Sequence, residues 1–281
     1  MPSSFCKDYE LASHSTKFNL SPDFWICTGE RALMLLEKSS RLKSWTDAGL
    51  NFFYPAVCQI CNEQRANAKE GYVCADCWTD VRFIQPPFCE RCGLPFEGEI
   101  TTAFECSNCR EMELHFSSAR SAVAARGIVL DVVHRYKYFQ ALWFEPFLAE
   151  LLIRQAKPIL EKEKWDFIVP VPLHRLKKRE REFNQAERLA DQLGRATNIP
   201  VNRNFLERIE FTRTQTLLTR PQRMDNVRTA FRMRGRKRLH GEKIIVLDDV
   251  LTTGATTSAC AKVLHAAGAG EICVWTVARG L

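Results

Sequence analysis

Two adjacent aspartates, Asp248 and Asp249, stand between four apolar residues and the run Val250-Leu251-Thr252-Thr253-Gly254-Ala255-Thr256. Carboxylates accept hydrogen bonds from sugar hydroxyls. A turn carrying hydroxyls and glycine that leads into a helix aims backbone N–H groups at an anion such as phosphate. The flanking residues supply the required elements. Residues 244–247 are too few for a helical stripe and rich in β-branched types, so they predict a strand buried on both faces. Residues 257–267 predict an alanine-rich helix closed by Gly268. A strand, loop and helix with acids at the strand tip suit a phosphorylated sugar. A plain strand running into a helix capped by Thr256 or Thr257 would need neither the acids nor the glycine.

A second constellation is made of cysteines. Eight of the twelve fall in C-x-x-C pairs: Cys58/Cys61, Cys74/Cys77, Cys89/Cys92 and Cys106/Cys109. Twelve residues separate the first two pairs and thirteen the last two, and the second unit repeats the first at an offset of 31 residues. Each C-x-x-C turn offers two soft ligands from one knuckle, and two turns complete a tetrahedral zinc site. Consecutive pairing makes two zinc ribbons and interleaved pairing a cross-brace; the ribbons are favoured. With all four ligands sulfur, both Zn²⁺ ions are structural, and so small a module depends on them to fold. Cys6 and Cys27 lack such a partner and read as free thiols, Cys260 and Cys273 as small buried apolar residues, and His115 as a linker residue.

A third stretch, V-P-V-P-L-H-R-L-K-K-R-E-R-E-F-N-Q-A from Val169 to Ala186, ends a strand in prolines, crosses a basic segment and opens a helix. Arg175, Lys177, Lys178, Arg179 and Arg181, followed by Asn184 and Gln185, lie beyond another strand's carboxyl end and can face the same ligand. A diphosphate leaving group requires such cations, because negative charge builds on it as its bond to carbon breaks.

The 281 residues allow one large domain or two smaller ones, and 46% hydrophobic content with ordinary charge content fits a soluble globular chain. No apolar run is long enough to span a membrane, and no basic start followed by an apolar stretch is seen, so a cytoplasmic protein is expected. Two zinc–tetrathiolate sites at −2 each would lower the formal net charge of +7 to +3, an excess that suits a polyanion.

Residues 1–50 are expected to be a partly disordered extension with a short helix at 31–43, residues 51–115 a double zinc ribbon, and residues 116–281 an α/β domain. In that domain, residues 121–125 and 167–171 predict strands. Val129, Val132, Val133 and Tyr136 recur at helical spacing, and residues 142–160 predict a helical region broken near Pro146 and Pro158. Residues 206–231 read as a mobile loop beside the site, the Arg232–Arg238 cluster as a solvated turn, and residues 272–277 as the last strand. Alternating strands and helices imply a parallel sheet covered on both faces, with ligands at the carboxyl ends of its strands.

The D-D-V-L-T-T-G-A-T stretch resembles the 5-phosphoribosyl-1-diphosphate (PRPP) loop of type I phosphoribosyltransferases. Double cysteine pairs, P-V-P-L-H…R-x-R-x-F-N-Q-A, T-x-x-Q-x-x-L-T-x-x-x-R-x-x-N-V-x-x-A-F and the D-D loop follow in an order that resembles the ComF (GntX-like) family, over about residues 51–277. That family is related to amidophosphoribosyltransferases and includes proteins linked to DNA uptake and to gluconate use. The resemblance implies a type I phosphoribosyltransferase-like sheet preceded by the zinc module. It places ribose hydroxyls at Asp248 and Asp249, and the 5′-phosphate at Thr252, Thr253, Gly254, Ala255 and Thr256, with Val250 and Leu251 completing the loop. It implies Mg²⁺ bound with PRPP or a related ribose phosphate, and transfer to a nitrogen acceptor that the sequence does not identify. The other function it implies is an accessory one in DNA uptake, with the ribbons on single-stranded DNA or a helicase. No side chain stands out as a nucleophile. Two positions depart from the family's pattern: Glu182 replaces the glycine before F-N-Q, and Ala125 an aromatic residue.

Overall fold

The computed structural model describes residues 56–96, 98, 104–210, 227, 229–235 and 237–281. The expected extension and the helix at 31–43 lie outside these residues, as does most of the loop expected at 206–231. Residues 56–281 form one compact unit.

Two short helices lie in the cysteine units, α1 (Ala75–Thr79) and α2 (Ser107–Glu111). Then follow β1 (Ser118–Ala124), α3 (Gly127–Tyr138), α4 (Glu145–Leu160), β2 (Phe167–Pro170), α5 (Arg175–Arg181) and α6 (Gln185–Thr197). The chain closes with β3 (Leu206–Arg208), β4 (Phe231–Met233), β5 (Ile244–Leu251), α7 (Ala255–Ala266) and β6 (Ile272–Arg279). Four strands form a parallel sheet in the order β1-β6-β5-β2, and β3 and β4 pair antiparallel apart from it.

Alternation along the central strands sends side chains to two separate cores. Ile245 and Leu247 join Cys273 and Trp275 beneath α3, α4 and α6. Ile244 and Val246 join Ile272 and Val274 beneath α7 and the β3–β4 pair. The sheet is therefore covered on both faces, as its unbroken apolar strands require. The first cysteine unit packs into the former core, the second into the latter.

The segment between the two units runs along the outer edge of β1. Ile84 N–H donates to Ala122 O at 3.0 Å, Ala124 N–H to Arg82 O at 2.9 Å, and Ala119 N–H to Arg91 O at 2.8 Å. At the opposite edge, Ile168 N–H donates to Pro200 O at 2.9 Å and Asn202 N–H to Ile168 O at 2.8 Å. Both edges thus have their backbone groups engaged.

Several boundaries differ from expectation. Strand β5 continues through both aspartates to Leu251, because β6 pairs with it that far. Helix α7 begins at Ala255 rather than residue 257, and Gly254 stands at its cap in place of a threonine. Helix α4 is unbroken: Pro146 lies in its first turn, where a missing N–H costs nothing, and Pro158 lies in its last turn between buried Ala156 and Leu160. The basic segment is helical (α5), and Leu206–Arg208 is a strand, where a loop was expected. Arg232 belongs to β4 and pairs with Glu207 at 2.6 Å, so the arginine cluster starts on a strand.

Helix α6 approaches residues 199–201 closely at Gly194. A Cβ there would lie 2.7 Å from Val201 Cγ2 and 2.9 Å from Ile199 O. Gly194→Val should therefore destabilise the protein by about 2 kcal/mol through overpacking, read as a lower urea midpoint. An unchanged midpoint would mean the contact yields freely.

Candidate functional site

The carboxyl ends of β5 and β2 open into a cavity of about 480 Å³. Parallel strands end in peptide groups that the next helix does not cover, so a ligand crevice forms there. Asp248 and Asp249 reach the cavity from β5, Thr252 and Thr256 from the loop and α7, and Lys177, Arg181, Asn184 and Gln185 from α5 and α6. The sequence motifs on which the phosphate reading rests are thus brought to one place.

The two aspartates sit in different environments. Asp249 is buried, and its Oδ2 lies 2.7 Å from Lys137 Nζ on α3. Burial alone would weaken the Lys137 ammonium, but Asp249 and Asp248 beside it outweigh that and raise its pKa. Among the described residues Asp248 has no such ion pair, and its Oδ1 accepts the Asp249 N–H at 2.9 Å. Desolvation first, and the Asp249 charge second, push its carboxyl up to about 7.

The cavity lining is also cationic. Lys177, Arg181 and Arg208 all line the cavity. Desolvation, then repulsion from Arg208 and Arg181, lowers the Lys177 pKa. Arg181 lies over the Tyr138 ring at 5.1 Å, which ties α5 to α3 across the cavity mouth. An anion placed between these cations would relieve their mutual repulsion.

The loop between β5 and α7 turns at Gly254, whose φ of 81° is in the left-handed region that favours glycine. No side chain caps α7 at that residue. Thr253 Oγ1 accepts the Ala255 N–H at 3.3 Å. Helix α5 ends at Glu182, also left-handed at φ 64°. This is the place where the family pattern has glycine, and the backbone explains the preference.

Other expected site residues have different places. Leu251 is a core residue. Thr253 borders a separate small cavity, and Gly254, Ala255 and Arg179 do not border the large one. Lys178 is paired with Glu187 at 3.3 Å. Asn184 caps α6 by accepting the Ala186 N–H at 3.1 Å, and its amide donates to Val171 O at 3.0 Å. Its polar atoms thus hold the helix start, whereas the buried Gln185 Nε2 lacks a partner among the described residues. Lys137, His134, Tyr138 and Arg208 were missed by sequence reasoning. Lys137, His134 and Tyr138 lie on a helix remote from the motifs, where only the acid–base complementarity of Lys137 offered a signal, and Arg208 lies in the 206–231 stretch expected beside the site.

The cysteines gather as two groups, Cys58, Cys61, Cys74 and Cys77, and Cys89, Cys92, Cys106 and Cys109. Consecutive pairing is thereby settled. Sulfur separations include 3.7 Å for Cys58–Cys77, 3.8 Å for Cys61–Cys74 and Cys89–Cys109, and 3.7 Å for Cys92–Cys106. A tetrahedron with Zn–S bonds of about 2.3 Å has edges of about 3.8 Å, so the donor set fits zinc. Burial opposes the Cys58 thiolate, but N–H donors from Cys61, Cys74 and Ile60 lower its pKa to about 6. Both sites are closed sulfur cages, as structural zinc requires. His115 joins neither group, and Cys260 and Cys273 are buried singly.

Two outcomes follow. Metal analysis should return two zinc ions per chain, and one or none would refute the two sites. Asp248 has a folded pKa near 7 against an ordinary 3.8. Below about pH 4 both states hold its proton, and as pH rises through 7 the unfolded state gives it up first, so stability falls across that window. Asp248→Asn should remove this part of the slope and be the more stable chain at pH 8 without ligand, read from urea midpoints at pH 5 and 8. Parallel profiles for both chains would contradict the desolvated carboxyl.

Among the described residues, no helix is long and apolar enough to cross a membrane. Residues 49–111 match the family described as "Double zinc ribbon domain". Competence protein F of Haemophilus influenzae is 30% identical over 233 residues, which cover 81% of this chain and 98% of that protein. DNA utilization protein YhgH of Escherichia coli K12 is 26% identical, with coverage of 81% and 98%. Competence protein ComFC of Bacillus subtilis is 26% identical, with coverage of 79% and 95%. Among solved structures, the glutamine PRPP amidotransferase of B. subtilis complexed with ADP and GMP is 22% identical at a TM-score of 0.30, over 45% of this chain and 24% of that one. Adenine phosphoribosyltransferase of Leishmania tarentolae is 15% identical at 0.31, over 49% and 58%. Scores at that level bear on neither ligand nor reaction. The full-length likeness to competence protein F, together with two cysteine cages ahead of an acid-tipped parallel sheet, places this chain in the ComF family.

Proposed function

We propose that the cavity binds Mg-PRPP or a related ribose phosphate and transfers the phosphoribosyl group to a nitrogen acceptor. The observation that carries this reading is the lining of one cavity, which brings the paired carboxylates Asp248 and Asp249 together with the cations Lys177, Arg181 and Arg208. Asp248 and Asp249 take the ribose hydroxyls. Thr252, Thr256 and the backbone of residues 252–256 take the 5′-phosphate, at the start of α7, whose cap residue is Gly254. The cations and Gln185 take the diphosphate. Mg²⁺ suits the hard oxygen donors here and would neutralise charge on the departing diphosphate.

In this reading the chain acts chiefly by placement and electrostatics. Ribose C1 loses diphosphate as the acceptor nitrogen bonds to it, through an oxocarbenium-like state, and the cations stabilise the leaving charge. Residues 51–115 serve as a metal-held module and residues 116–281 carry the chemistry, in a cytoplasm that keeps the thiols reduced.

A second reading is favoured by the relatives' names, competence protein F and DNA utilization protein. In it the chain binds PRPP or a nucleotide without turnover, and the ribbons contact single-stranded DNA or a DNA-uptake helicase. Wild type and Asp248→Asn/Asp249→Asn, incubated with Mg-PRPP and a panel of bases and amines, separate the two. Diphosphate release by wild type alone is the expected result. Binding without release for any acceptor favours the accessory role, and absence of PRPP binding overturns the transferase reading.

A further inference from the structure

Arg279, at the end of β6, is buried, with 5% of the residue exposed. Its Nη1 donates to Leu251 O at 2.9 Å, to Thr252 O, and to Gly280 O at 2.7 Å. Its Nη2 points the other way and lies 3.8 Å from Cys92 Sγ of the second cysteine site. Among the described residues no carboxylate pairs with it. A buried guanidinium needs an anion nearby, and a tetrathiolate zinc site, at a formal −2, is the anion this fold provides.

Further contacts join the same site to the same loop. A cavity of about 140 Å³ lies between Cys92 and Cys109 on one side and Thr252, Thr253 and Arg279 on the other. Residues just past Cys109 brace α7: the His115 N–H donates to Ser258 Oγ at 3.0 Å, and Phe116 would lie 3.5 Å from a Cβ on Gly254. The first cysteine site packs in the core on the opposite face of the sheet.

We propose that Arg279 is a positioning residue for the 252–256 loop, and that the second cysteine site, with zinc in place, holds the loop in its phosphate-binding shape through Arg279. The proposal rests on the reading of that loop as the 5′-phosphate cradle. The guanidinium holds the carbonyls of Leu251 and Thr252 at the entry to the loop. The loss of either the guanidinium or the sulfur site removes that hold and loosens the loop. The first site, by contrast, supports the fold without acting on the loop.

The test uses the full chain as wild type, Arg279→Met, Arg279→Lys, Cys92→Ser and Cys61→Ser. It measures hydrogen exchange of the 252–256 amides, Mg-PRPP affinity by calorimetry, and zinc content. Arg279→Met should keep both zinc ions and the protection of residues 244–247, yet exchange faster in the loop and bind Mg-PRPP about tenfold more weakly, as loss of charge-assisted hydrogen bonds predicts. Arg279→Lys should fall between it and wild type. Cys92→Ser should loosen the loop, and Cys61→Ser should lose metal without doing so. Loop exchange in the arginine variants within about twofold of wild type, or equal loosening by Cys61→Ser, overturns the proposal. Should Arg279→Met fail to melt cooperatively, Arg279→Lys decides. If wild type binds no PRPP while loop exchange still follows Arg279, the ligand reading falls and the positioning role stands.

Discussion

Two carboxylates side by side at the end of a strand buried on both faces constrain everything around them. Such a strand offers little water, so each charge must be matched by a neighbour or suppressed by a proton. Asp249 is matched by Lys137 from α3. Asp248 is left to hold a proton near neutral pH. The cations lining the same cavity have the reverse problem: desolvation first, then Arg208 and Arg181, lower the Lys177 pKa.

The fold was legible in sequence where local pattern and burial agree. The β-branched run at 244–247, the helical spacing of Val129, Val132, Val133 and Tyr136, and the C-x-x-C knuckles all report short-range geometry, which a sequence displays directly. Strand length was less legible. Nothing local to Asp248 and Asp249 says that β6 will pair with them, and two acids normally argue against a strand. The basic stretch 175–181 shows no apolar periodicity in sequence, yet arginine and lysine are good helix formers and it is helical.

The site was legible where one motif supplies several atoms and illegible where single residues arrive from afar. Lys137 and Tyr138 sit in an otherwise ordinary amphipathic helix, and only the folded chain carries them to the aspartates. Asn184 of the F-N-Q motif reaches the cavity, and its hydrogen bonds join the start of α6 to Val171 O just beyond β2. Glu182 joins the two kinds of information. A glycine preference there is a statement about backbone, and the left-handed φ at that position supplies its reason.

The segment joining the two cysteine cages also closes the flank of β1. Each cage sits at one end of that segment, so the metals act as two clamps on a strip of chain laid along an otherwise sticky margin. Were the segment to lift away on loss of zinc, the edge of β1 would be bared, and edge-to-edge pairing of sheets is a common route to aggregation.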